Sequence, residues 1–319
     1  MIFRANVTTI LQMYQYKKIL GAVFAAIALS ANLAAKKQEP KKNILTVTYI
    51  DVGQGDSILI ETPEGKNILI DAGDGPTDWS SWDAGDRIVV PFLKKRGIKK
   101  LDYVLMSHAH NDHIGGLPAV LKAFPVDTFV DPGFQYNSYI YENLLTLVEE
   151  KGCKYVEARA GGQIKLDKYC YFEVLNPPAD RYFRGGSEPN ENSLVLKLAY
   201  KDVSFLFTGD SEKQAERSMV QNFKKDLLCT FLKVAHHGSA SSTSQEFMDW
   251  AQPLYAIISV GERNRFGHPK KTTLKRLADY GCKIFRTDKD GSMRVTTDGK
   301  RYKTELLKET ESKEPNKNE

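Results

Sequence analysis

The most informative stretch of this sequence is Ser107-His108-Ala109-His110-Asn111-Asp112-His113-Ile114-Gly115-Gly116. It lies between a predicted strand over 101–106 and a predicted helix over 114–123. Three of the six histidines of the chain and one aspartate fall within it. Imidazole and carboxylate groups at this density are typical ligands of Zn²⁺ or Mn²⁺, and a loop at a strand end can direct them to one point. The stretch therefore predicts a metal site.

Other candidate ligands lie at the ends of further predicted strands. Asp71 ends one strand and Asp210 follows another, while His236 and His237 follow a third and His268 a fourth. With the first cluster, these positions account for all six histidines. Any one of them alone would suit a turn or a surface. Together, in a chain that alternates strands with helices, they predict one composite site.

The alternation of elements and an internal similarity predict the architecture. Residues 57–74 (SILIETPEGKNILIDAGD) align without gaps on residues 193–210 (SLVLKLAYKDVSFLFTGD), and both read as a strand, a turn and a strand before Gly-Asp. Such hairpins favour two similar β-halves that form a sandwich with helices outside. Strands are predicted over 44–50, 57–61, 67–71, 101–106, 154–157, 170–175, 193–199, 202–208, 230–234 and 255–260, with a strand pair within 283–296. Helices are predicted over 87–96, 114–123, 138–151, 211–222, 243–251 and 270–279.

The net charge of +5 comes from the N-terminal segment. Residues 1–37 contain Arg4, Lys17, Lys18, Lys36 and Lys37 and no acidic residue, so acidic and basic residues balance in the remainder. Lys17 and Lys18 precede an uncharged apolar run over 19–35, as in a signal peptide or an N-terminal membrane anchor. We therefore expect a secreted, periplasmic or outer-face membrane-tethered protein. Because the remainder has no net charge, any affinity for nucleic acid must come from local clusters of basic residues.

The domain boundaries follow from the same pattern. The signal peptide or anchor is predicted over 1–37, with a polar linker to about 43. The catalytic domain is predicted over 44–305. Residues 306–319 have balanced charge and little apolar content, which predicts a flexible tail.

Several motifs together resemble a known family. They run in order over about 44–300: Asp51 to Ser57 (DVGQGDS), Leu69 to Gly73, Arg87 to Leu117, Asn190 to Leu196, Thr208 to Asp210, Lys233 to Ser239 and Phe266 to Pro269. This set resembles the metallo-β-lactamase superfamily, and more closely the hydrolase domain of the ComEC type of competence protein. The resemblance implies an α/β (α+β) fold, a four-layer αββα sandwich, with two divalent metal ions, Zn²⁺ or Mn²⁺, at one edge.

The resemblance also implies a set of ligands. His108 and His110 would hold the first metal, and Asp112, His113 and His237 the second, with Asp210 bridging both. His236 would contact substrate, although the sequence leaves the order of the 236–237 pair open. Asp71 would orient the histidine-rich loop from behind. Asn190 and Asn192 stand where the superfamily has a third histidine, and their weaker amide oxygens favour Mn²⁺ over Zn²⁺.

Two clustered metal ions suit the hydrolysis of a phosphodiester by a metal-bound hydroxide. Asp112 would accept the proton of water, and Lys233, Ser239 and His268 are candidate phosphate contacts. We expect an exported phosphodiesterase or nuclease that cleaves DNA. The alternatives are a hydrolase of another phosphodiester, such as phosphorylcholine on cell-wall polymers, a lactam, lactone or thioester hydrolase, and a non-catalytic DNA-uptake module.

Overall fold

The computed structural model describes residues 43–307. The predicted signal peptide or anchor, the possible tether over 19–35 and the tail beyond Leu307 lie outside the described residues. No helix within 43–307 is long and apolar enough to cross a membrane.

Two mixed β-sheets form the centre of the molecule. The first has the strand order β15-β14-β1-β2-β3-β4-β5-β6, and the second has the order β13-β12-β11-β10-β9-β8-β7. The strands are β1 (Leu45–Tyr49), β2 (Ile58–Glu61), β3 (Asn67–Ile70), β4 (Leu101–Leu105), β5 (Val126–Asp131), β6 (Lys154–Glu157), β7 (Gln163–Lys165), β8 (Tyr171–Asn176), β9 (Val195–Tyr200), β10 (Val203–Phe207), β11 (Phe231–Lys233), β12 (Tyr255–Ile258), β13 (Lys283–Arg286), β14 (Ser292–Thr297) and β15 (Tyr302–Leu307).

Helices cover the outer face of each sheet. A π-helical turn (Gly85–Val89) leads into α1 (Val90–Lys95), and α2 (Asn111–Ile114), α3 (Leu117–Ala123) and α4 (Tyr139–Glu150) follow. The later helices are α5 (Glu188–Glu191), α6 (Lys213–Phe223), α7 (Gln245–Ala251), α8 (Lys271–Asp279) and α9 (Thr287–Asp290), with 3₁₀ turns at Lys224–Leu227 and Ala235–Gly238. Helices α1, α3 and α4 pack on the first sheet, and α6, α7 and α8 pack on the second.

One apolar core lies under the helices of each sheet, and a third lies between the two sheets and joins them. It contains Phe205 and Phe231, whose rings stack with centroids 4.9 Å apart. With the helix-facing cores on either side, the molecule has four layers in the order helix, sheet, sheet, helix. The predicted αββα sandwich is therefore confirmed. The two similar segments are confirmed as hairpins, since β2 pairs with β3 and β9 with β10, both antiparallel.

The structure corrects the sequence-based elements in several places. Strands β5, β7 and β15 were not predicted, because their charged and polar residues weaken the strand signal. The expected strand pair within 283–296 does not exist, since β13 pairs with β12 in one sheet and β14 pairs with β1 in the other. Helix α9 carries the chain between the sheets. Strand β15 ends at Leu307, beyond the predicted boundary at 305.

The topology places the functional loops at one edge. Strands β3 and β4 are parallel neighbours in the first sheet, and β10, β11 and β12 are parallel neighbours in the second. Parallel strands end on the same side of a sheet. The segments that follow these five strands therefore meet where the two sheets face each other.

Candidate metal centre

Asp71 orients the histidine-rich loop through hydrogen bonds to Ser107 and His113. Its Oδ1 accepts from the Ser107 backbone N–H at 2.7 Å, and its Oδ2 accepts from the Ser107 hydroxyl at 2.6 Å. The same Oδ2 lies 2.9 Å from Nδ1 of His113. A carboxylate at Nδ1 holds the proton there and leaves Nε2 free to bind a metal. The role predicted for Asp71 agrees with this geometry.

The two glycines that follow His113 allow the loop to pack closely. A Cβ atom at Gly115 would lie 2.1 Å from the backbone nitrogen of Gly75, and one at Gly116 would lie 2.3 Å from the carbonyl oxygen of Ala72. Backbone approaches of this kind require glycine. The Gly-Gly pair therefore seats α2 against the segment after β3, and the preceding histidines face the sheet edge.

One ligand group consists of Asp112, His113 and His237, with Asp210 beside it. Nε2 of His237 lies 3.2 Å from Oδ2 of Asp112 and 3.5 Å from Oδ2 of Asp210. Nε2 of His113 lies 3.3 Å from Oδ1 of Asp210. Nδ1 of His237 lies 2.8 Å from the carbonyl oxygen of Ser259, to which it donates, so its Nε2 faces the cluster.

The second group contains His108 and His110. Nε2 of His108 and Nδ1 of His110 are 3.0 Å apart, and Nε2 of His108 lies 3.8 Å from Oδ2 of Asp210. Asp210 thus has histidines of both groups around its carboxylate. This is the position predicted for a ligand shared by two metal ions.

Several buried ligand atoms have no hydrogen-bond partner among the described residues. They are Nε2 of His113, Nε2 of His237, Oδ1 of Asp210 and Oδ1 of Asn190. An unsatisfied buried polar atom costs about 1–3 kcal/mol, and bound cations would satisfy these atoms, all of which are of metal-ligating type. The residues therefore fit the metal ions that the sequence implies.

The electrostatics of the cluster support the same conclusion. Burial lowers the pKa of His108 well below its usual value, so its imidazole is neutral as a metal ligand must be. Burial also lowers the pKa of His113, but the charges of Asp210 and Asp112 outweigh it and raise the pKa. Burial raises the pKa of Asp210, yet the charges of His237 and His113 bring it well below its usual value. Without metal ions, protons on histidine must balance these carboxylates.

The model of the family described as the metallo-beta-lactamase superfamily matches residues 50–137, which include the histidine-rich loop. ComE operon protein 3 of Bacillus subtilis is 34% identical over 270 residues, which cover 82% of this chain and 33% of that protein. The chain belongs to the metallo-β-lactamase superfamily.

Two further relatives in this group come from other bacteria. Competence protein ComA of Neisseria gonorrhoeae is 29% identical over 85% of the chain and 35% of that protein. Recombination protein 2 of Haemophilus influenzae is 28% identical over 92% of the chain and 34% of that protein. The chain thus spans about a third of the length of these three relatives.

His236 and His268 border the candidate metal centre on its solvent-exposed side. His236 adopts a left-handed conformation (φ 49°), and its side chain is 24% exposed. Its Nδ1 lies 2.9 Å from Oε1 of Glu212, and its Nε2 lies 3.7 Å from Oδ2 of Asp210. The His268 ring packs edge-on against it with centroids 5.5 Å apart. Burial and the neighbouring histidines lower the pKa of His268 to about 4, so this ring is neutral at neutral pH.

The two asparagines predicted as weak ligands have different roles. The Asn192 side chain accepts from the Phe183 N–H at 2.9 Å and donates to the carbonyl oxygens of Phe183 and Glu188. All of its polar atoms are used in these bonds, so Asn192 supports the segment around Phe183 and has no side-chain atom left for a metal ion. Asn190 instead has its Nδ2 3.2 Å from Oε1 of Glu212 and its Oδ1 unsatisfied. The metal centre therefore has one candidate amide ligand.

Lys233 and Ser239 were predicted to contact substrate. Lys233 is fully buried, with Nζ 2.6 Å from Oδ2 of Asp56 and 3.0 Å from the carbonyl oxygen of Val234. It lies beneath the metal centre, out of reach of solvent, so the predicted contact between Lys233 and a substrate phosphate is not possible in this structure. Ser239 is 7% exposed and its hydroxyl lies 2.9 Å from that of Ser241, so its role stays a prediction.

The sequence reasoning missed three residues of the site. Asp56 lies 3.8 Å from Nδ1 of His113 and 3.7 Å from Nδ1 of His237. Gln54 donates to Oδ2 of Asp112 at 3.4 Å, and Glu212 contacts His236. Asp56 precedes a strand, whereas the other candidate residues follow strands. Because β2 is antiparallel to β1 and β3, it begins at the edge where they end, which is the signal that could have found Asp56.

Proposed function

We propose that this protein is an exported, metal-dependent phosphodiesterase that cleaves DNA. The observation that carries the proposal is the position of Asp210, whose carboxylate lies between two groups of histidine ligands with unsatisfied buried atoms. A ligand shared in this way suits two metal ions, which favour the displacement reactions of phosphodiesters. The name of the gonococcal relative, a competence protein, supports a DNA substrate.

Bound metal ions would lower the pKa of water and attract the negative charge that develops on phosphate oxygens. His108, His110, Asn190 and Asp210 would hold one ion, and Asp112, His113, His237 and Asp210 the other. Asp71 keeps the proton of His113 on the nitrogen that faces away from the ion. The carbonyl oxygen of Ser259 does the same for His237.

Asp112 is the residue that would take the proton of the attacking water. Burial raises the pKa of its carboxyl, but the charge of His113 and the contact with His237 lower it below its usual range, so Asp112 is ionised at neutral pH. Its side chain is 23% exposed, in contrast to the 2% of Asp210. The access of Asp112 to solvent and its place between His237 and Gln54 at the ligand cluster, rather than its basicity, support this role.

His236 and His268 would bind the substrate. Because Glu212 accepts from Nδ1 of His236, Nε2 of that ring faces Asp210 and the space in front of it. Neutral His268 can donate a hydrogen bond to a phosphate oxygen through one ring nitrogen. The two rings would orient the phosphodiester toward Asp112.

Export rests on the sequence of residues 1–37, where a basic pair precedes an apolar run. Fractionation of cells that express the full chain tests it. Recovery from the medium, the periplasm or the membrane fraction supports export, and recovery from the cytoplasm alone contradicts it.

A substrate panel tests the activity. The full chain is loaded with Mn²⁺ or Zn²⁺ and given plasmid DNA, a short single-stranded oligonucleotide, p-nitrophenyl phosphorylcholine and a β-lactam. We expect cleavage of DNA that Asp210→Asn and His237→Ala abolish, while Asn222→Ala on the exposed face of α6 leaves it unchanged. Turnover of the β-lactam or of the phosphorylcholine ester without cleavage of DNA would contradict the proposal.

A further inference from the structure

The segment 261–268 forms one rim of the metal centre. The Gly261 N–H donates to Oε1 of Gln54 at 3.3 Å, and the amide nitrogen of the same Gln54 donates to Asp112. Within the segment, Asn264 donates to the carbonyl oxygens of Gly261 and His268 at 2.9 and 2.8 Å, and its Oδ1 accepts from the His268 N–H at 2.9 Å. These bonds fix the rim in place next to the candidate catalytic residues.

A series of rings leads from the metal centre to the surface through this rim. His236 lies beside Asp210, and His268 packs on His236. Phe266 then stacks on His268, with centroids 5.9 Å apart and planes 13° from parallel. Phe266 is 45% exposed, so one part of its ring is open to solvent. An aromatic face therefore lies one ring beyond a residue that would bind the reacting phosphate.

A cation accompanies this ring. The guanidinium carbon of Arg265 lies 5.0 Å from the Phe266 centroid. Since Phe266 stacks on His268 and His268 packs on His236, this guanidinium lies at the outer end of the row of rings that begins at the metal centre. Arg265 and Phe266 are both exposed.

We propose that Phe266 and Arg265 bind the nucleotide next to the scissile phosphodiester in an unpaired DNA strand. The base stacks on the Phe266 ring in place of the Arg265 guanidinium, which turns to contact the flanking phosphate. This inference rests on the proposed phosphodiesterase function and names its substrate. In a duplex both faces of each internal base are already stacked, so only an unpaired strand or a frayed end can supply a base to Phe266.

The charge at the rim argues against a choline-bearing ester. A quaternary ammonium group would need the face of an aromatic ring without a competing cation. Arg265 already lies near the Phe266 ring, and a second positive charge there would be repelled. A nucleobase with a phosphate next to it suits both side chains.

The test measures binding and cleavage separately. Binding of a short fluorescent oligothymidylate with phosphorothioate linkages, which resist cleavage, is followed by anisotropy with the metal-loaded full chain. The matched ligand is an abasic deoxyribose-phosphate strand of the same length. Phe266→Ala and Phe266→Leu remove the ring, and Phe266→Trp keeps an aromatic face. Trp250→Ala is the control, because Trp250 is also exposed beside a cation, Lys224, but lies in α7 next to Cys229, at the far end of β11 from the metal centre.

We expect Phe266→Ala and Phe266→Leu to raise the Kd for oligothymidylate by about 5- to 150-fold, the range for loss of one stacked base. Phe266→Trp stays close to the wild type, Trp250→Ala has no effect, and the abasic strand binds the Phe266 and Trp250 variants as tightly as it binds the wild type. Arg265→Ala weakens both strands and reduces the dependence of log Kd on log salt by about 0.7, the value for one phosphate contact on a single strand.

Other results would overturn the inference. An unchanged Kd for oligothymidylate in Phe266→Ala would do so, as would an equal rise for the abasic strand. Failure of the proposed function is seen independently, as a lack of cleavage of ordinary oligothymidylate by the wild type while binding still depends on Phe266.

Discussion

Lys233 places its ammonium group 2.6 Å from Oδ2 of Asp56, and both side chains are buried beneath the metal centre. Asp56 in turn lies within 4 Å of the imidazoles of His113 and His237. The pair connects β11 of one sheet to the start of β2 in the other. It therefore joins the two halves of the sandwich at the edge where the ligands meet.

Removal of one member of this pair should be strongly destabilising. Lys233→Met leaves the Asp56 carboxylate buried without its cation, and we expect a loss of about 3–5 kcal/mol in the free energy of unfolding. The double variant Lys233→Met with Asp56→Leu should lose less than the sum of the two single changes. Urea denaturation with EDTA present measures these values, and Lys275→Met in the exposed Lys275–Asp279 pair is the control. A loss for Lys233→Met no larger than that of the control contradicts the role of the pair.

Asp71 should control metal affinity without touching the metal. Asp71→Asn keeps the shape of the side chain but no longer holds the proton on Nδ1 of His113 as a carboxylate does. Loss of such an outer partner typically weakens metal binding by about 10- to 100-fold. Isothermal titration with Zn²⁺ or Mn²⁺ measures it. Asp102→Asn is the matched control, because Asp102 is a buried aspartate that bonds Lys66 and the Asn67 N–H at the start of β4, the end of that strand opposite the centre; equal affinities for the two variants would contradict the role of Asp71.

Substitution of Asn190 should weaken metal binding, whereas substitution of Asn192 should destabilise the fold. Asn190→Ala removes an unsatisfied buried oxygen, so we expect weaker binding of one of two metal equivalents with little change in unfolding without metal. Asn192→Ala leaves Phe183 and Glu188 backbone groups unpaired and should destabilise the fold by about 1–3 kcal/mol. Metal titration and urea denaturation of both variants distinguish them. The reverse pattern would show that Asn192, not Asn190, is the ligand.

Glu216 should make stability depend on pH. Its buried carboxylate accepts from the backbone N–H groups of Thr243 and Ser244, and burial raises its pKa from 4.5 to about 7. Between these values the folded state holds a proton that the unfolded state has lost, so stability falls as the pH rises through this window. A shift of this size corresponds to about 3 kcal/mol.

Urea denaturation with EDTA across that range checks the prediction. The wild type should become less stable from about pH 4.5 to about pH 7. Glu216→Gln should flatten this dependence, whereas Glu246→Gln, at an exposed position in the first turn of α7, should not. A wild type whose stability rises over the range to the same extent as that of Glu216→Gln would contradict the assignment.

The sequence by itself predicted the candidate ligand positions and the class of fold. Histidines and aspartates within a few residues of one another, each group after an apolar run, require no knowledge of distant contacts. Several predicted strands end in such groups, and neighbouring parallel strands end on the same side of a sheet. The sequence therefore also predicts that these groups lie close together. His108, His110, Asp112, His113, Asp210 and His237 were found in this way, and the structure brings them together.

Only the tertiary structure decided which polar side chains face the site and which support it. In the sequence, Lys233 is a candidate phosphate contact and Asn192 a candidate ligand. In the structure, Lys233 is buried against Asp56, and the side chain of Asn192 bonds the backbone around Phe183. Likewise, β13 and β14 are close in sequence but belong to different sheets. Burial, the partner of a charge and the sheet that a strand joins depend on segments far apart in the chain, and local residue patterns carry no record of those contacts.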